Sequence, residues 1–149
     1  MEIVEDMLEK RKCAKDCLRA NIAPEDKIIK RGKVKIAMVE SNLLNQKKAP
    51  ALAEAIKQIA PEWLGDETQV ILNRNITCKR HVDKNTGYSY VFVFGDFDGG
   101  ELCFDAGAFY TDKQAWHKID GQIAHWNEPH TGNKYSIVLY RSGAKRKKV

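Results

Sequence analysis

No run of about eighteen apolar residues occurs in the 149-residue sequence, so no segment is expected to cross a membrane as a helix. The first nine residues are acidic and lack the basic-then-apolar layout of a secretory signal, which points to a soluble, intracellular protein. Only four cysteines occur, at 13, 17, 78 and 103, too few for a disulfide framework in a chain this long. Cys13 and Cys17 stand at helical spacing rather than the spacing of a redox pair, and no second pair completes a zinc site. Reduced thiols with no disulfide partner are the expectation, and they suit a reducing compartment. Internal repeats are missing too, and the length supports one domain with one sizeable core.

Acids are absent from residues 141–149, where Arg141, Lys145, Arg146, Lys147 and Lys148 account for the whole net charge of +5. Within the neutral remainder, residues 10–35 carry ten Lys or Arg against three acids, and residues 36–140 carry ten against thirteen. Basic clusters attract phosphates, although a solvated face is their commoner meaning. They are the candidates here for contact with DNA or RNA. The tail from Lys145 to Lys148 also agrees with a nuclear location.

Residues 2–20 read as an amphipathic helix, because Ile3, Met7, Leu8, Ala14, Cys17 and Leu18 recur at intervals of about three and four. Pro24 breaks it. Val34, Ile36 and Met38 alternate with Lys33, Lys35 and Ala37, the period of a half-buried strand. Pro50 opens a second helix at the favoured first position, with Leu52, Ala55, Ile56 and Ile59 as its buried stripe, and Pro61 stops it. From Thr68 onward short strands are expected at 69–72, 88–94, 101–104, 108–110, 116–119, 122–125 and 135–140. Residues 95–100 carry turn chemistry from which 101–104 pairs back, and Asp120-Gly121 signals a tight hairpin. The expected class is mostly β with N-terminal helices (α+β), its strands forming a sandwich or barrel. One domain over 1–142 would comprise a helical part, 1–65, and a β core, 66–142, followed by a basic tail, 143–149.

His81 and Asp83 stand two apart, so in a strand an imidazole and a carboxylate reach one ion from one face. A second histidine some forty residues on, His125 or His130, would supply a third ligand. Two histidines and one carboxylate on one face of a metal, with the other face open, form the triad of non-haem Fe(II) oxygenases.

His81-x-Asp83, then Gly99-Gly100-Glu101-Leu102, then His125 with Pro129-x-Thr131-Gly132-x-Lys134-x-Ser136, together resemble the Fe(II)/2-oxoglutarate dioxygenase superfamily. The likeness covers roughly the C-terminal half. It implies a double-stranded β-helix (jelly-roll) core backed by helices, with Fe(II) as metal, 2-oxoglutarate as co-substrate and O2 as oxidant. It implies His81, Asp83 and His125 as the catalytic metal ligands, because the family's distal histidine precedes such a Pro-x-Thr-Gly stretch; His130 becomes a loop residue near the site. Lys134 and Ser136 stand where the family's Arg-x-Ser pair holds the distal carboxylate, with lysine's point charge replacing the planar fork. Asn73 and Tyr90 would add hydrogen bonds to the co-substrate from neighbouring inner strands.

Within the superfamily, residues 73–89 followed by Gly95-Asp96-Phe97-x-Gly99-Gly100-Glu101-Leu102 look most like the methylpyrimidine oxygenases of the TET and J-base type and their fungal, algal and viral relatives. That likeness implies hydroxylation of a C–H bond on a modified base such as 5-methylcytosine. Asn85 and Thr86 would then face the base, with Trp126 as a wall of the substrate site. The alternatives are a prolyl-hydroxylase-like oxygenase acting on a peptide, which shares the Gly-Gly-Glu-Leu signature, and a catalytically idle β-helix binding module.

Overall fold

The computed structural model describes residues 41, 43–61, 68–83, 87–107, 109–110 and 112–141, with the backbone alone of 16–17, 28–31, 34–38, 40 and 42. In chain order its elements are β1 (Asp16–Cys17), β2 (Ile28–Arg31), β3 (Val34–Met38), β4 (Glu40–Leu43) and α1 (Pro50–Ile59). Then come β5 (Thr68–Arg74), β6 (Ser89–Phe94), β7 (Phe97–Gly99), β8 (Leu102–Phe104) and β9 (Phe109–Tyr110). The last four are β10 (Trp116–Ile119), β11 (His125–Asn127), β12 (His130–Gly132) and β13 (Tyr135–Arg141).

Five strands form the large antiparallel sheet, in the order β10-β6-β13-β5-β4. A smaller sheet, β11-β8-β9, gains an edge where His81 bridges to His125. From β5 the chain passes to residue 81 on the small sheet, back to β6, across to β8 and β9, back to β10, across to β11 and back to β13. That repeated crossing is the winding of a double-stranded β-helix, or jelly roll. The protein is mostly β, with one helix among the described residues.

The period of two sorts side chains on the large sheet. On β5 and β13 burial alternates strictly through the first five residues. Val70, Leu72, Tyr90, Phe92, Phe94, Tyr135, Ile137 and Leu139 face one way and form the main core with Leu44, Leu52, Ala53 and Ile56. Each fully buried aliphatic side chain there contributes about 1.5–3 kcal/mol relative to exposure. Helix α1 covers this face: Pro50 starts it, and Ala60, held extended before Pro61, ends it. The other face of the sheet turns inward and lines a cavity between the two sheets. No helix among the described residues is long and apolar enough to cross a membrane.

Several expectations need correction. Asp16–Cys17, placed within an N-terminal helix, is a strand paired with Ala37 and Met38; the rest of that helix lies outside the described residues. Residues 28–31 and 40–43 add strands to a stretch expected to be mainly helical. Within the expected turn at 95–100, Phe97–Gly99 is a strand paired with β12, and β8 pairs with β11 and β9. Asp120-Gly121 makes a turn but no hairpin, because β10 belongs to the large sheet and β11 to the small one. Asp120 Oδ1 accepts from the Gln122 N–H at 3.0 Å and its carbonyl from Ile123 N–H at 3.2 Å. These local bonds hold 122 and 123 in the turn; the Ala124 carbonyl then accepts from Asp105 N–H at 2.9 Å, and the strand begins at His125.

Candidate metal centre and anion pocket

The strand bridge fixes the first three candidates. His81 N–H donates to the His125 carbonyl at 3.0 Å, and His125 N–H returns to the His81 carbonyl at 2.9 Å. Their rings lie 4.4 Å apart between centroids. Asp83, two residues on, presents Oδ1 to His81 Nε2 and Oδ2 to His125 Nε2, both at 3.3 Å. Ligand atoms of the three side chains all fall within 4.8 Å of one another, a cluster that could hold a metal ion. Asp83 N–H donates to the Gly121 carbonyl at 2.8 Å, and a Cβ on Gly121 would stand 2.7 Å from Asp83 Oδ2. Only glycine leaves the carboxylate its place.

Both histidines are held by the same device. His81 Nδ1 lies 2.7 Å from the Lys79 carbonyl, and His125 Nδ1 lies 2.7 Å from the Ile123 carbonyl. A carbonyl only accepts, so each Nδ1 carries a hydrogen and each Nε2 of a neutral ring keeps its lone pair. Those lone pairs face the two oxygens of one carboxylate. The arrangement repels itself unless a proton or a metal cation sits between, which is the fit expected of a cation site. A donor set of two imidazoles and one carboxylate fits Fe(II).

Charge follows the same geometry. Burial pushes the Asp83 carboxyl up, but hydrogen bonds from His125 and His81, and their charges, outweigh it and hold Asp83 well below the usual carboxylate range. Burial pushes His125 down, yet the bonds to Asp83 and to the Ile123 carbonyl leave it raised above its ordinary 6.5. The Phe104 ring, 5.1 Å from that of His125, walls the site.

The cavity that holds the triad has a volume of about 230 Å3 and also reaches Asn73, Lys134 and Ser136. Lys134 is only 5 % exposed, and its Nζ donates to the Gly100 carbonyl at 2.9 Å. Burial lowers its pKa, while Cys78 and Glu101 pull the other way. Gly100, at φ +72°, has no side chain to displace Lys134, whose Nζ would lie 3.1 Å from a Cβ there. Asn75, itself in the left-handed region at φ 54°, grips the Lys134 backbone twice. Its N–H donates to the Lys134 carbonyl and its Oδ1 accepts from Lys134 N–H, both at 2.7 Å. A rigidly mounted cation beside a hydroxyl in a small cavity can take an anionic end group.

Six of the residues singled out from the sequence therefore meet: His81, Asp83, His125, Lys134, Ser136 and Asn73. Tyr90 does not join them. It stands on the opposite face of β6, in the core under α1, because its neighbours Val91 and not Tyr90 share the inward parity. Trp126 also points away from the cavity, being adjacent to His125 on one strand, and donates to Glu128 at 3.1 Å. His130 lies in strand β12 rather than a loop; its ring contacts Thr77 at 3.4 Å and Asn75 at 3.3 Å, behind Lys134. Asn85 and Thr86 lie outside the described residues. Residues not anticipated include Tyr110, His117 and Tyr140, which line the cavity. Tyr140 was within reach, since the period of two that joins Lys134 to Ser136 continues to Val138 and Tyr140. No comparable signal marks Tyr110.

No family model matches the sequence, and no curated protein does. Among solved structures the chain is similar to protein NMB1881 from Neisseria meningitidis, at 13% identity over 68% of this chain and 100% of that one, with a TM-score of 0.42. It is also similar to an RmlC-like cupin protein from Desulfovibrio desulfuricans, at 10% identity over 87% of this chain and 97% of that one, with a TM-score of 0.43.

Proposed function

We propose that this chain is an Fe(II)- and 2-oxoglutarate-dependent dioxygenase that hydroxylates a C–H bond on a modified nucleic-acid base such as 5-methylcytosine. One observation carries the enzyme class: a single cavity contains both a two-histidine, one-carboxylate cluster and a buried lysine beside a serine hydroxyl. A cation site and an anion site sharing so small a space suit a metal and a short dicarboxylate. The volume, about 230 Å3, is below the roughly 300–1,000 Å3 of pockets for drug-sized ligands.

In this reading His81, Asp83 and His125 would hold Fe(II), which when bound supplies the activation of O2 that the protein's own groups cannot. The Lys79 and Ile123 carbonyls fix both imidazoles with Nε2 as the ligand atom. Lys134 and Ser136 would bind the far carboxylate of 2-oxoglutarate and so orient it. Ile71, Val91 and Val138 line the same space and give it an apolar wall.

The base as substrate is supported by the likeness of residues 73–102 to the methylpyrimidine oxygenases and by the basic residues of 10–35 and 145–148, which suit phosphates. A base in a duplex would have to leave the stack to reach the triad. The test incubates the protein with Fe(II), 2-oxoglutarate, O2 and, separately, methylated DNA, methylated RNA and a proline-containing peptide, and follows succinate and product mass. Succinate together with a gain of one oxygen on the methylated base is expected. The same gain on the peptide would replace the substrate, and no succinate with any of them would remove the oxygenase assignment.

A further inference from the structure

We infer that Tyr110 and His117 form the substrate end of the cavity, and that His117 Nδ1 reads an amino group on a planar ring, so that 5-methylcytosine is accepted and thymine rejected. The inference rests on the oxygenase reading and extends it to the choice of base. Lys134 and Ser136 mark the far end of the same space. Ser136 is opposite Val93 on the large sheet; two residues on, Val138 is opposite Val91, and Val91 is opposite His117. His117 therefore stands two strands across and one inward row along from Ser136. Strand spacings of about 4.8 Å and a rise of about 3.4 Å per residue put roughly 12 Å between their Cα atoms. Val91 and Val138 supply the apolar floor between the two ends. A short dicarboxylate held between Lys134 and the triad leaves the His117 end open to substrate.

Rings connect that end to the triad. His125, Phe104, Tyr110 and His117 follow one another at centroid separations of 5.1, 5.8 and 4.8 Å. Asp112, exposed and lining the same cavity, opens this end to solvent. Its carbonyl also sets the state of the imidazole, because His117 Nε2 lies 3.2 Å from it. A carbonyl only accepts, so Nε2 carries the hydrogen and Nδ1 of the neutral ring keeps a lone pair. No donor to Nδ1 lies among the described residues. An amino group satisfies that lone pair, whereas the keto oxygen of thymine sets a second acceptor against it. The Tyr110 hydroxyl donates and accepts alike and does not discriminate; its ring supplies a face for stacking. In 5-methylcytosine the amino group is on the ring carbon beside the methyl. A methyl turned to the triad therefore lays the amino group along the wall toward His117.

The test follows, by fluorescence anisotropy, the binding of short labelled single-stranded DNA to full-length protein loaded with redox-inert Zn(II) and 2-oxoglutarate. The strands differ at one base: 5-methylcytosine, thymine, or 5-methyl-2-pyrimidinone, which has neither the amino nor the keto group at that carbon. Wild-type protein should bind the 5-methylcytosine strand about tenfold more tightly than the thymine strand, with the pyrimidinone between, the effect of pairing rather than opposing one desolvated polar group. His117→Phe, which keeps a ring against Tyr110, should bring the three affinities within about twofold of one another. A merely structural role for His117 would weaken all strands alike and leave their ratio unmoved. That unmoved ratio, with succinate still formed on 5-methylcytosine by the wild-type Fe(II) protein, overturns the assignment and leaves the oxygenase reading standing. If His117→Phe does not fold, His117→Leu decides on the same ratio. Equal binding of 5-methylcytosine and thymine by the wild type overturns the assignment without any variant. Binding to no strand, together with no succinate, removes both the assignment and the reading beneath it.

Discussion

Asp83 occupies the space that any side chain at position 121 would claim, and this makes Gly121 a residue of the site although it carries no ligand atom. Gly121→Ala is expected to push the carboxylate off the line between the two Nε2 atoms. The protein should stay folded, with thermal unfolding little changed, while Fe(II) or Zn(II) affinity measured by titration falls at least tenfold, in the range seen when groups supporting metal ligands are altered. An unaltered affinity would mean that Asp83 is not held where it is needed. The two late histidines separate in the same assay. His125→Ala should abolish metal-dependent turnover, whereas His130→Ala, which touches Asn75 and Thr77, should leave much of it. Protons compete for the same lone pairs. Without metal, burial pushes His125 down but Asp83 and the Ile123 carbonyl leave it raised above 6.5, so a proton competes with the metal up to a higher pH than it would on a free imidazole. Metal affinity should therefore rise with pH through the raised value and level off above it. Calorimetry in buffers of differing ionisation enthalpy should show proton release near neutrality; binding independent of pH between 6 and 8, taken as roughly the imidazole range, would contradict this.

The strand–helix layer shows how far local pattern reaches. Helix α1 was legible from Pro50, its apolar stripe and Pro61, because start signal, periodicity and stop signal agree. Ile56, with 0 % exposure, sits where that stripe meets Leu52 and the outer face of the large sheet. Ile56→Ala should cost about 2–5 kcal/mol in urea-induced unfolding, with metal affinity of the folded protein preserved because the cavity lies on the sheet's other side. Strand β13 was also legible, and with it Lys134 and Ser136, since its period of two has a polar and an apolar face. Tyr90 was misassigned for a physical reason: β6 is buried on both faces, so hydrophobic alternation does not reveal which parity turns inward. The pairing of β7 with β12 was hidden because its glycines read as turn chemistry and its partner is some thirty residues away. His81 and Asp83 were found from spacing, but their meeting with His125 depends on a long-range bridge. Asn75 lies in the stretch 73–89 that carries the family likeness, but its grip on the Lys134 backbone exists only once β5 and β13 lie side by side.

Across the whole molecule the charge is uneven: residues 141–149 hold five basic side chains and no acid, while the other 140 residues are neutral in sum. A neutral body supplies little long-range attraction for a polyanion, so the tail and the basic stretch 10–35 must carry the phosphate contacts if the substrate is nucleic acid. Each contact releases condensed counterions and steepens the salt dependence of binding by about 0.9 in the log–log slope for duplex DNA. Deleting residues 143–149 removes Lys145, Arg146, Lys147 and Lys148 but spares β13 and every cavity residue. The truncated protein should bind methylated duplex DNA more weakly at low salt, with a shallower slope, and the two proteins should converge as salt rises. Its succinate production on a short methylated single strand at saturating concentration should match that of the full chain, because the cavity is untouched. Superimposable salt slopes before and after deletion would take the tail out of the interface and leave residues 10–35 to account for phosphate binding alone. A loss of turnover at saturation would instead tie the tail to the cavity rather than to the approach of the substrate.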